Sequence, residues 1–561
     1  MSFNWLTNES RAFLNNGYLT EGQVAEERLW EIAQRAQELL GNKEGYAKKL
    51  YGYMAEGFIS LSSPVWSNFG NSRGFPVSCF SSHMTDTTQG ILFSQGEVGM
   101  MTKYGGGTSG YFGDLRPRGA AIKDNGKSSG SVHFMELFEK VSDVISQGST
   151  RRGRFAPYLP VEHPDIDEFL KIGTDGHPIH NLTTGVTVTD KWLDEMVAGD
   201  KEKRKTWANV LRTRSSIGYP YILFTDNANI NRPQVYKDKD MKITGSNLCS
   251  EILLPLSEDE SFVCVLSSVN LLHYDKWKDT DLIETMVYFL DAVVTEFIEK
   301  IEALGQSDSY QDKLAYTFMS RALKFAKRHR ALGLGVLGWH SLLQSKRISI
   351  ESQEAAKLNH EVFKLLQERS YKASEELAKE FGEPEVLEGY CRRNTTLNAI
   401  APTTSSAFIL GQASPSIEPV MSNYYIKNLA KAKVEMKNPH LEKLLEEAGQ
   451  NTPEVWRSIA ENDGSVQHLD FLTEHEKEVF LTFKEINPYT ILNLAAVRQQ
   501  FLDQTQSLNL MIDDRWTAKE INEITLYAAK AGLPTLYYQH AVNAAQSFAR
   551  SKRMECKACE A

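Results

Sequence analysis

Apolar residues recur at helical spacing along several long stretches of the chain, and short apolar runs lie between them. The stretch 23–40 is rich in Ala, Glu, Leu and Arg at this spacing, and Gly41 ends it. The same pattern predicts helices over 46–55, 190–197, 281–304, 311–328 and 354–381. Strands are predicted at 185–188 and 262–266, while 332–338 is a glycine-spaced strand or a tight packing element. Strands that alternate with helices predict an α/β architecture built on parallel strands.

Composition and charge limit which kinds of function the protein can have. The 561 residues suggest a few domains or one large barrel with additions, and 41 % hydrophobic with 24 % charged residues is ordinary for a soluble globular protein. The net charge of −10 argues against a dedicated nucleic-acid or membrane-surface binder. The chain shows no signal peptide, and no apolar stretch approaches about 18 residues. We therefore expect a cytoplasmic protein that binds neither nucleic acid nor a membrane.

The stretch SNLCSEI at 246–252 contains several closely spaced side chains that could take part in catalysis. It places an amide, a thiol and a carboxyl two residues apart, at Asn247, Cys249 and Glu251. In extended backbone, alternate side chains share a face, so these three groups would point the same way and their neighbours the other way. Taken alone, the stretch is equally typical of a buried cysteine on a core strand, because free cysteine is among the most buried residue types.

The other cysteines favour a functional role for this stretch over a purely structural one. Six cysteines are too few for a secreted disulfide framework, and in a reducing compartment they are more often catalytic or metal-binding. Cys79 and Cys264 lie in strand-like surroundings far apart in the chain. Cys556 and Cys559 have CxxC spacing on a short polar C-terminal segment, which indicates thiol–disulfide exchange. An incidental pair or a partial metal site is the alternative, and no second ligand pair completes a zinc site.

Two loops are suited to a ligand. Gly105, Gly107 and Gly110 formally match a dinucleotide-binding fingerprint, but no clear strand precedes them and no acidic residue follows about 20 positions later. Low side-chain bulk that lets a ligand approach is the better interpretation. The run APTTSSA at 401–407 is typical of a helix N-terminus, where free N–H groups bind phosphate or where Thr and Ser simply cap the helix.

In combination, these motifs resemble the large, catalytic subunit of class I ribonucleotide reductase. The resemblance runs from about residue 60 to the C-terminus. It rests on the ordered motifs SSPVWSNFGNSRGFPVSC, SNLCSEI, FVCVLSSVNL, RALGLGVLGW, APTTSSA with a later SIEP, LPTLYY and CKAC. It implies a ten-stranded α/β barrel of two five-stranded parallel halves, with the radical cysteine on a central finger loop. The expected domains are a helical region at 1–58, the barrel at 59–548 and a redox-active tail at 549–561.

The resemblance implies a role for each group in the SNLCSEI stretch. Cys249 would become the thiyl radical that removes the ribose 3′ hydrogen. Glu251 would act as the base on the 3′ hydroxyl, and Asn247 would hold the ribose hydroxyls. Tyr537 and Tyr538 would relay the radical from a metal-containing small subunit, although two aromatic residues on one strand would otherwise face opposite ways.

The remaining cysteines would carry the reducing equivalents. In the family pattern, Cys79 and Cys264 end each turnover as a disulfide. Cys556 and Cys559 would reduce that disulfide and pass the oxidation to thioredoxin or glutaredoxin. Cys391 has no matched role and is expected to be structural.

The resemblance also implies binding residues for a ribonucleoside diphosphate and for effectors. The substrate contacts are Ser63, Ser78, Gly107, Asn247, Glu251, Pro402, Thr403, Thr404, Ser405 and Ser406. A deoxynucleoside triphosphate or ATP would control specificity at the interface of a homodimer, through Asp86, Thr87, Arg116 and Arg151. The chain itself would bind no metal. With the first site cysteine at residue 79, no room remains for the N-terminal ATP-cone, so we expect a short form without that activity control.

Three other functions compete with this interpretation. A cobalamin-dependent reductase shares the barrel and the cysteines but needs neither a small subunit nor the tyrosine pair. A non-catalytic nucleotide-binding regulator would be expected to lose its reactive cysteines. A simple thiol–disulfide oxidoreductase explains the tail but not Asn247, Glu251 or the tyrosines.

Overall fold

The structure is a computed structural model that describes residues 2–147, 151–411, 413–429, 432–513 and 515–541. The predicted redox-active tail at 549–561, with Cys556 and Cys559, lies outside the described residues.

The strands of the described residues fall into one large sheet and several two-stranded ladders. In chain order they are β1 (Ile59–Leu61), β2 (Cys79–His83), β3 (Gly107–Tyr111), β4 (Ala121–Ile122), β5 (Gly126–Lys127), β6 (Ser146–Gln147), β7 (Arg151–Arg152), β8 (Phe155–Pro160), β9 (Gly185–Val188), β10 (Tyr221–Phe224), β11 (Phe262–Asn270), β12 (Leu332–Leu337), β13 (Tyr424–Leu429), β14 (Ala432–Lys437), β15 (Leu510–Ile512), β16 (Thr535–Leu536) and β17 (Gln539–Ala541).

Helices precede and surround this sheet. They are α1 (Asn8–Asn15), α2 (Ala25–Leu39), α3 (Tyr46–Ala55), α4 (Ser63–Asn68), α5 (Thr88–Lys103), α6 (Ser131–Val144), α7 (Ile166–Phe169), α8 (Asp190–Ala198), α9 (Lys201–Ile217), α10 (Thr225–Asn231), α11 (Gln234–Asp238), α12 (Tyr274–Trp277), α13 (Leu282–Gln306), α14 (Tyr310–Phe318), α15 (Ser320–His329), α16 (Trp339–Ser345), α17 (Gln353–Phe381), α18 (Thr404–Ile409), α19 (Pro439–Glu447), α20 (Pro453–Glu461), α21 (Glu474–Val479), α22 (Pro488–Gln499) and α23 (Ala518–Lys530). Short 3₁₀ turns lie at Leu271–His273 and Glu385–Leu387.

The first half of the barrel is a five-stranded parallel sheet in the order β2-β3-β8-β9-β10. Helices connect its successive strands, as parallel pairing requires. Its strands are buried on both faces, and Gly185–Val188 has no exposed position.

The second half continues the ring with a less regular parallel ladder. β11 pairs with β12, and β15 pairs with β17. Between them, single parallel bridges join Leu334 to Asn398 and Ile400 to Gln506. Antiparallel pairs join the halves at β11–β2 and at β10–β16. Five parallel positions in each half thus form the predicted barrel.

The segment between β10 and β11 enters the barrel as the predicted finger loop. Ser109 Oγ and Tyr158 OH, from the first half, donate to the carbonyls of Ser246 and Asn247, each at 2.9 Å. From the second half, the N–H of Thr505 donates to the Glu251 carbonyl at 3.1 Å. The loop is therefore fixed by both halves.

The N-terminal helices pack directly onto the barrel. Arg28 on α2 is 1 % exposed, and its Nε donates to the Trp66 carbonyl at 2.8 Å. Trp66 lies on α4, which follows β1 and begins at Ser63. The buried guanidinium thus ties the helical region to the segment that leads into the site.

Local patterns predicted many elements closely and one of them wrongly. The helix predicted over 46–55 and the strand predicted over 185–188 have those bounds, and 332–338 is a strand that ends at Leu337. The helix predicted over 311–328 is two helices, α14 and α15, separated at Met319. Met319 is fully buried, so tertiary packing decides the break that periodicity does not encode.

A buried charge cluster gives a stability prediction. Asp291 on α13 is 2 % exposed and accepts from Arg330 Nε and Arg393 Nε, both at 2.8 Å. Asp291→Ala leaves two guanidinium groups without this carboxylate, so we expect a loss of about 3–5 kcal/mol in urea unfolding followed by circular dichroism. The control, Glu368→Ala, removes an exposed pair with Lys364 and should cost less than about 0.5 kcal/mol. Equal losses would contradict this assignment.

Candidate active site

A cleft opens at the amino ends of the first-half strands, where the finger loop meets β11 and the start of α18. Most of the predicted site residues line it: Ser63, Ser78, Cys79, Gly107, Asn247, Cys249, Glu251, Pro402, Thr403, Ser406, Tyr537 and Tyr538. Cys264, Thr404 and Ser405 are not among the lining residues. A larger groove, between α9 and α23, is mainly apolar and holds none of these residues.

The finger loop does not have the extended backbone assumed from its alternating sequence. Ser250 has φ of 65°, and its N–H donates to the Asn247 carbonyl at 3.3 Å, so the chain turns here. Leu248 was expected to face away but lines the cleft beside Cys249. The predicted convergence of Asn247, Cys249 and Glu251 on one cavity is correct, but a tight turn produces it.

Asn247 closes the finger loop. Its Oδ1 accepts from the N–H groups of Glu251 at 3.0 Å and Ile252 at 3.1 Å. Its Nδ2 donates to Cys79 Sγ at 3.1 Å. One fully buried amide therefore sets the loop conformation and positions the loop against β2.

Cys79 and Cys264 are direct partners across the antiparallel joint between β2 and β11. Directly opposed residues in such a pair have Cα atoms about 4.5–5.5 Å apart, a separation that permits a disulfide. Burial raises the pKa of both thiols, and the negative charge of Glu251 adds to the shift at Cys79. Both side chains are therefore held as neutral thiols that can be oxidised together.

Glu251 is a buried carboxyl in contact with sulfur. It is 1 % exposed, and its oxygens accept from Cys79 Sγ at 3.9 Å and from Ser507 Oγ at 3.2 Å. Burial raises the pKa of Glu251 to about 7, while hydrogen bonding to Asn247, to the Glu251 backbone and to Ser507 opposes the shift. A carboxyl that titrates near neutrality is suited to proton transfer.

Tyr537 and Tyr538 lie between β16 and β17, and their ring centroids are 4.4 Å apart. The two rings therefore contact each other instead of facing opposite ways. Burial raises the pKa of the Tyr537 phenol, and the neighbouring Cys249 thiol adds to the shift. Tyr538 also stacks on His540, with ring centroids 5.8 Å apart. The pair thus leads from Cys249 towards β17.

A third tyrosine, which the sequence motifs did not identify, contacts this pair. Tyr221, at the start of β10, lies 4.7 Å from the Tyr537 ring and 5.1 Å from the Tyr538 ring. Its only sequence signal is an aromatic residue opening an apolar strand. Arg154, from the basic loop before β8, also lines the cleft as a cationic side chain.

Only some of the hydroxyl residues predicted to contact the substrate at the start of α18 reach the cleft. Thr403 precedes the helix with φ of 51°, and it makes no side-chain capping bond to it. Its Oγ1 accepts instead from the Ser416 N–H at 2.7 Å. Thr404 is exposed and Ser405 is buried, so Thr403 and Ser406 are the hydroxyl residues of this run that reach the cleft.

The predicted effector residues form a separate cluster. Arg116 Nε donates to Asp86 Oδ2 at 2.7 Å, and Thr87 caps α5 by accepting from the Gly90 N–H at 3.0 Å. These three residues do not line the cleft. Arg151 lies in β7, and its side chain is outside the described part of the structure.

The sequence and fold also match known proteins. A family model described as the ribonucleotide reductase barrel domain matches residues 77–203, 195–392 and 384–539. This chain belongs to the ribonucleotide reductase family. It is 35 % identical to the putative ribonucleoside-diphosphate reductase large subunit of frog virus 3, over 90 % of this chain and 89 % of that protein. For the large subunit of invertebrate iridescent virus 3 the values are 31 %, 94 % and 92 %.

A solved structure extends this family assignment to the fold. The alpha subunit of the class Id ribonucleotide reductase of Actinobacillus ureae is 53 % identical, with a TM-score of 0.90, over 97 % of this chain and 99 % of that one. Among the described residues, no helix has the length and apolarity needed to cross a membrane. Nor does this part of the reductase hold a cluster of three or more His, Cys, Asp or Glu side chains suited to a metal ion.

Burial of the thiols predicts their order of alkylation. In the reduced protein at pH 8, we expect Cys79 and Cys264 to react with iodoacetamide at least about tenfold more slowly than the exposed Cys391, because the thiolate is the nucleophile. Peptide mass spectrometry over time measures the three rates. In urea they should become similar. A folded-state rate for Cys79 or Cys264 equal to that of Cys391 would contradict the buried arrangement.

Proposed function

We propose that this chain is the catalytic subunit of a class I ribonucleoside-diphosphate reductase, which makes 2′-deoxyribonucleotides by thiyl-radical chemistry for DNA synthesis. The observation that carries this proposal is the convergence of Cys249, Glu251 and Cys79 at one cleft, with Cys264 directly opposite Cys79 and Tyr537 against Cys249. Sulfur suits both parts of the chemistry, since it forms a reversible disulfide and is readily oxidised.

Each group has one task in the proposed cycle. The Cys249 thiyl radical removes the 3′ hydrogen atom, and Glu251 takes the 3′ hydroxyl proton. The 2′ hydroxyl leaves as water. Cys79 and Cys264 supply two electrons and two protons and become a disulfide. Glu251 returns its proton to the 3′ oxygen, and Cys249 returns its hydrogen atom to C3′. The products are a deoxyribonucleotide, water and one disulfide, so atoms and electrons balance.

The cleft suggests how the substrate lies. Ser63, Thr403 and Ser406 are grouped at the β1 and α18 side, where hydroxyl and backbone N–H groups suit a diphosphate. Cys79 and the finger loop occupy the middle. Arg154 lies two strands further round, since β8 follows β3 and β2. We therefore place the ribose over Cys249 and Glu251 and the base towards Arg154.

The radical enters from a metal-containing small subunit through Tyr538 and Tyr537. The apolar groove between α9 and α23, lined by Trp207, Leu211 and Ile521 among others, adjoins this entry point. Gln539, next to Tyr538, donates from its N–H to the carbonyl of Gly218, the residue that ends α9. We assign the groove to the small subunit, because a docked partner there would lie beside Tyr538.

The remaining assignments complete the proposal. Residues 1–58 form the helical region, 59–548 the barrel, and 549–561 the tail that exchanges disulfides with thioredoxin or glutaredoxin. The protein acts in the cytoplasm as a homodimer, with ATP or deoxynucleoside triphosphates controlling specificity near Asp86 and Arg116. No observation favours the cobalamin-dependent alternative: the relatives above are named as diphosphate reductase subunits or as a class I alpha subunit, and the tyrosine pair contacts the site.

The deciding assay is reduction of CDP by the purified chain with dithiothreitol, with and without its small subunit and with and without cobalamin. We expect activity with the small subunit alone. Cys249→Ser should lower turnover by about 10⁴-fold or more while CDP still binds, as for other essential catalytic groups. Cys391→Ser is the matched control and should keep full activity, because Cys391 is exposed and lies outside the cleft. Turnover by Cys249→Ser, or activity with cobalamin alone, would refute the proposal.

Tyr538→Phe tests the relay. The substitution keeps the ring that contacts Tyr221 and Tyr537 but removes the phenolic hydrogen. We expect activity with the small subunit to fall by about 10³-fold or more, with CDP affinity measured by calorimetry unchanged. Tyr390→Phe removes a surface hydroxyl that donates to Asp238 and serves as the control. A normal rate for Tyr538→Phe would show that the radical follows another route.

A further inference from the structure

Ser507 lies behind the cleft and contacts two parts of the site. It is fully buried on the segment between the Gln506 bridge and β15, and it does not line the cleft. Its Oγ is 2.6 Å from the Cys249 carbonyl oxygen and 3.2 Å from Glu251 Oε2. No motif in the sequence drew attention to this residue.

The two contacts compete for a single proton. A serine hydroxyl has one hydrogen to donate and two lone pairs with which to accept. While Glu251 is ionised, the Ser507 hydrogen is shared between the carboxylate and the Cys249 carbonyl. Once Glu251 is protonated, its own O–H donates to Ser507 Oγ, and the Ser507 hydrogen goes fully to the Cys249 carbonyl. The strength of the bond that holds the finger tip therefore depends on the Glu251 proton.

We propose that Ser507 is a positioning residue that couples the protonation of Glu251 to the placement of the finger-loop tip that carries Cys249. The role of Glu251 as the base rests on the function proposed above. The hydrogen-bond arrangement itself does not, because it is a property of the folded chain. Ser507 would thus favour the ionised base and hold the thiol in place at the same time.

Two other contacts to the finger loop do not involve the Glu251 carboxyl. Tyr158 OH contacts the Asn247 carbonyl and Ser250 Oγ, and the Thr505 N–H bonds the Glu251 backbone. The titratable groups that face Glu251 are Cys79 on β2, Cys264 on β11, Tyr158 on β8 and Cys249 on the loop itself. Burial raises the pKa of Cys79, Cys264 and Tyr158, so these three stay neutral where Glu251 titrates.

The test removes the hydroxyl and follows the carboxyl directly. Infrared difference spectra of the isolated chain, with the Glu251→Gln spectrum subtracted, give the Glu251 titration without any turnover. In Ser507→Ala we expect the midpoint to rise by about one pH unit, since a hydrogen bond to a charged group contributes about that much. The acid limb of the pH profile of kcat/KM for CDP should move to higher pH by the same amount. At a pH well below that limb, activity should therefore fall about tenfold.

Three further variants separate this role from packing. Ser507→Thr keeps the hydroxyl and should titrate like the wild type. Ser507→Cys keeps the side-chain volume but has a weaker donor. Its Glu251 midpoint should rise by less than that of Ser507→Ala. This variant replaces Ser507→Ala in the test if the alanine variant fails to fold. Thr505→Val removes a buried hydroxyl from the same segment. That hydroxyl bonds Gln499 and Thr535 and not Glu251, so this variant should leave the Glu251 midpoint unchanged.

An unshifted or lowered midpoint in Ser507→Ala and Ser507→Cys would overturn the coupling. Equal shifts in Ser507→Ala and Ser507→Thr, or in Ser507→Ala and Thr505→Val, would also overturn it. Failure of the wild-type chain to reduce CDP would refute the proposed function instead. The infrared titration keeps the two results apart.

Discussion

The backbone of the finger loop lies inside the barrel, where every N–H and carbonyl group needs a hydrogen-bond partner. Those partners come from both halves: Ser109 and Tyr158 from the first, Gln504, Thr505 and Ser507 from the second. Asn247 and Ser246 supply further bonds from within the loop. The position of Cys249 therefore depends on correct assembly of the whole barrel, and neither half alone supplies all of these bonds.

The joint between the halves has a second consequence. β2 and β11 run antiparallel where the two parallel sheets meet, and this places Cys79 opposite Cys264. The same joint buries both thiols beside Glu251, which raises their pKa values and keeps them protonated. The architecture of the barrel thus places two protonated thiols at a separation that permits a disulfide.

Glu251 and the tyrosines border Cys249 in the same cleft but come from different elements of the fold. Glu251 belongs to the finger loop and contacts Ser507, and burial raises its pKa to about 7. Tyr221 begins β10, and Tyr537 and Tyr538 lie between β16 and β17, so two separate segments form the aromatic group. The environment of Cys249 therefore depends on how these elements pack together.

The sequence by itself determined the α/β class, several element bounds and the chemistry of the site. Thr517 and Glu520 form a capping box at the start of α23, a feature that local sequence can specify because a cap needs only neighbouring residues. Tertiary structure alone decided the turn at Ser250, the break at Met319 and the inclusion of Tyr221 and Ser507 in the site. Tyr221 and Ser507 in particular meet Tyr537 and Cys249 across hundreds of positions of sequence. Local alternation and spacing do not encode such contacts, since they report only which side of its own element a residue occupies.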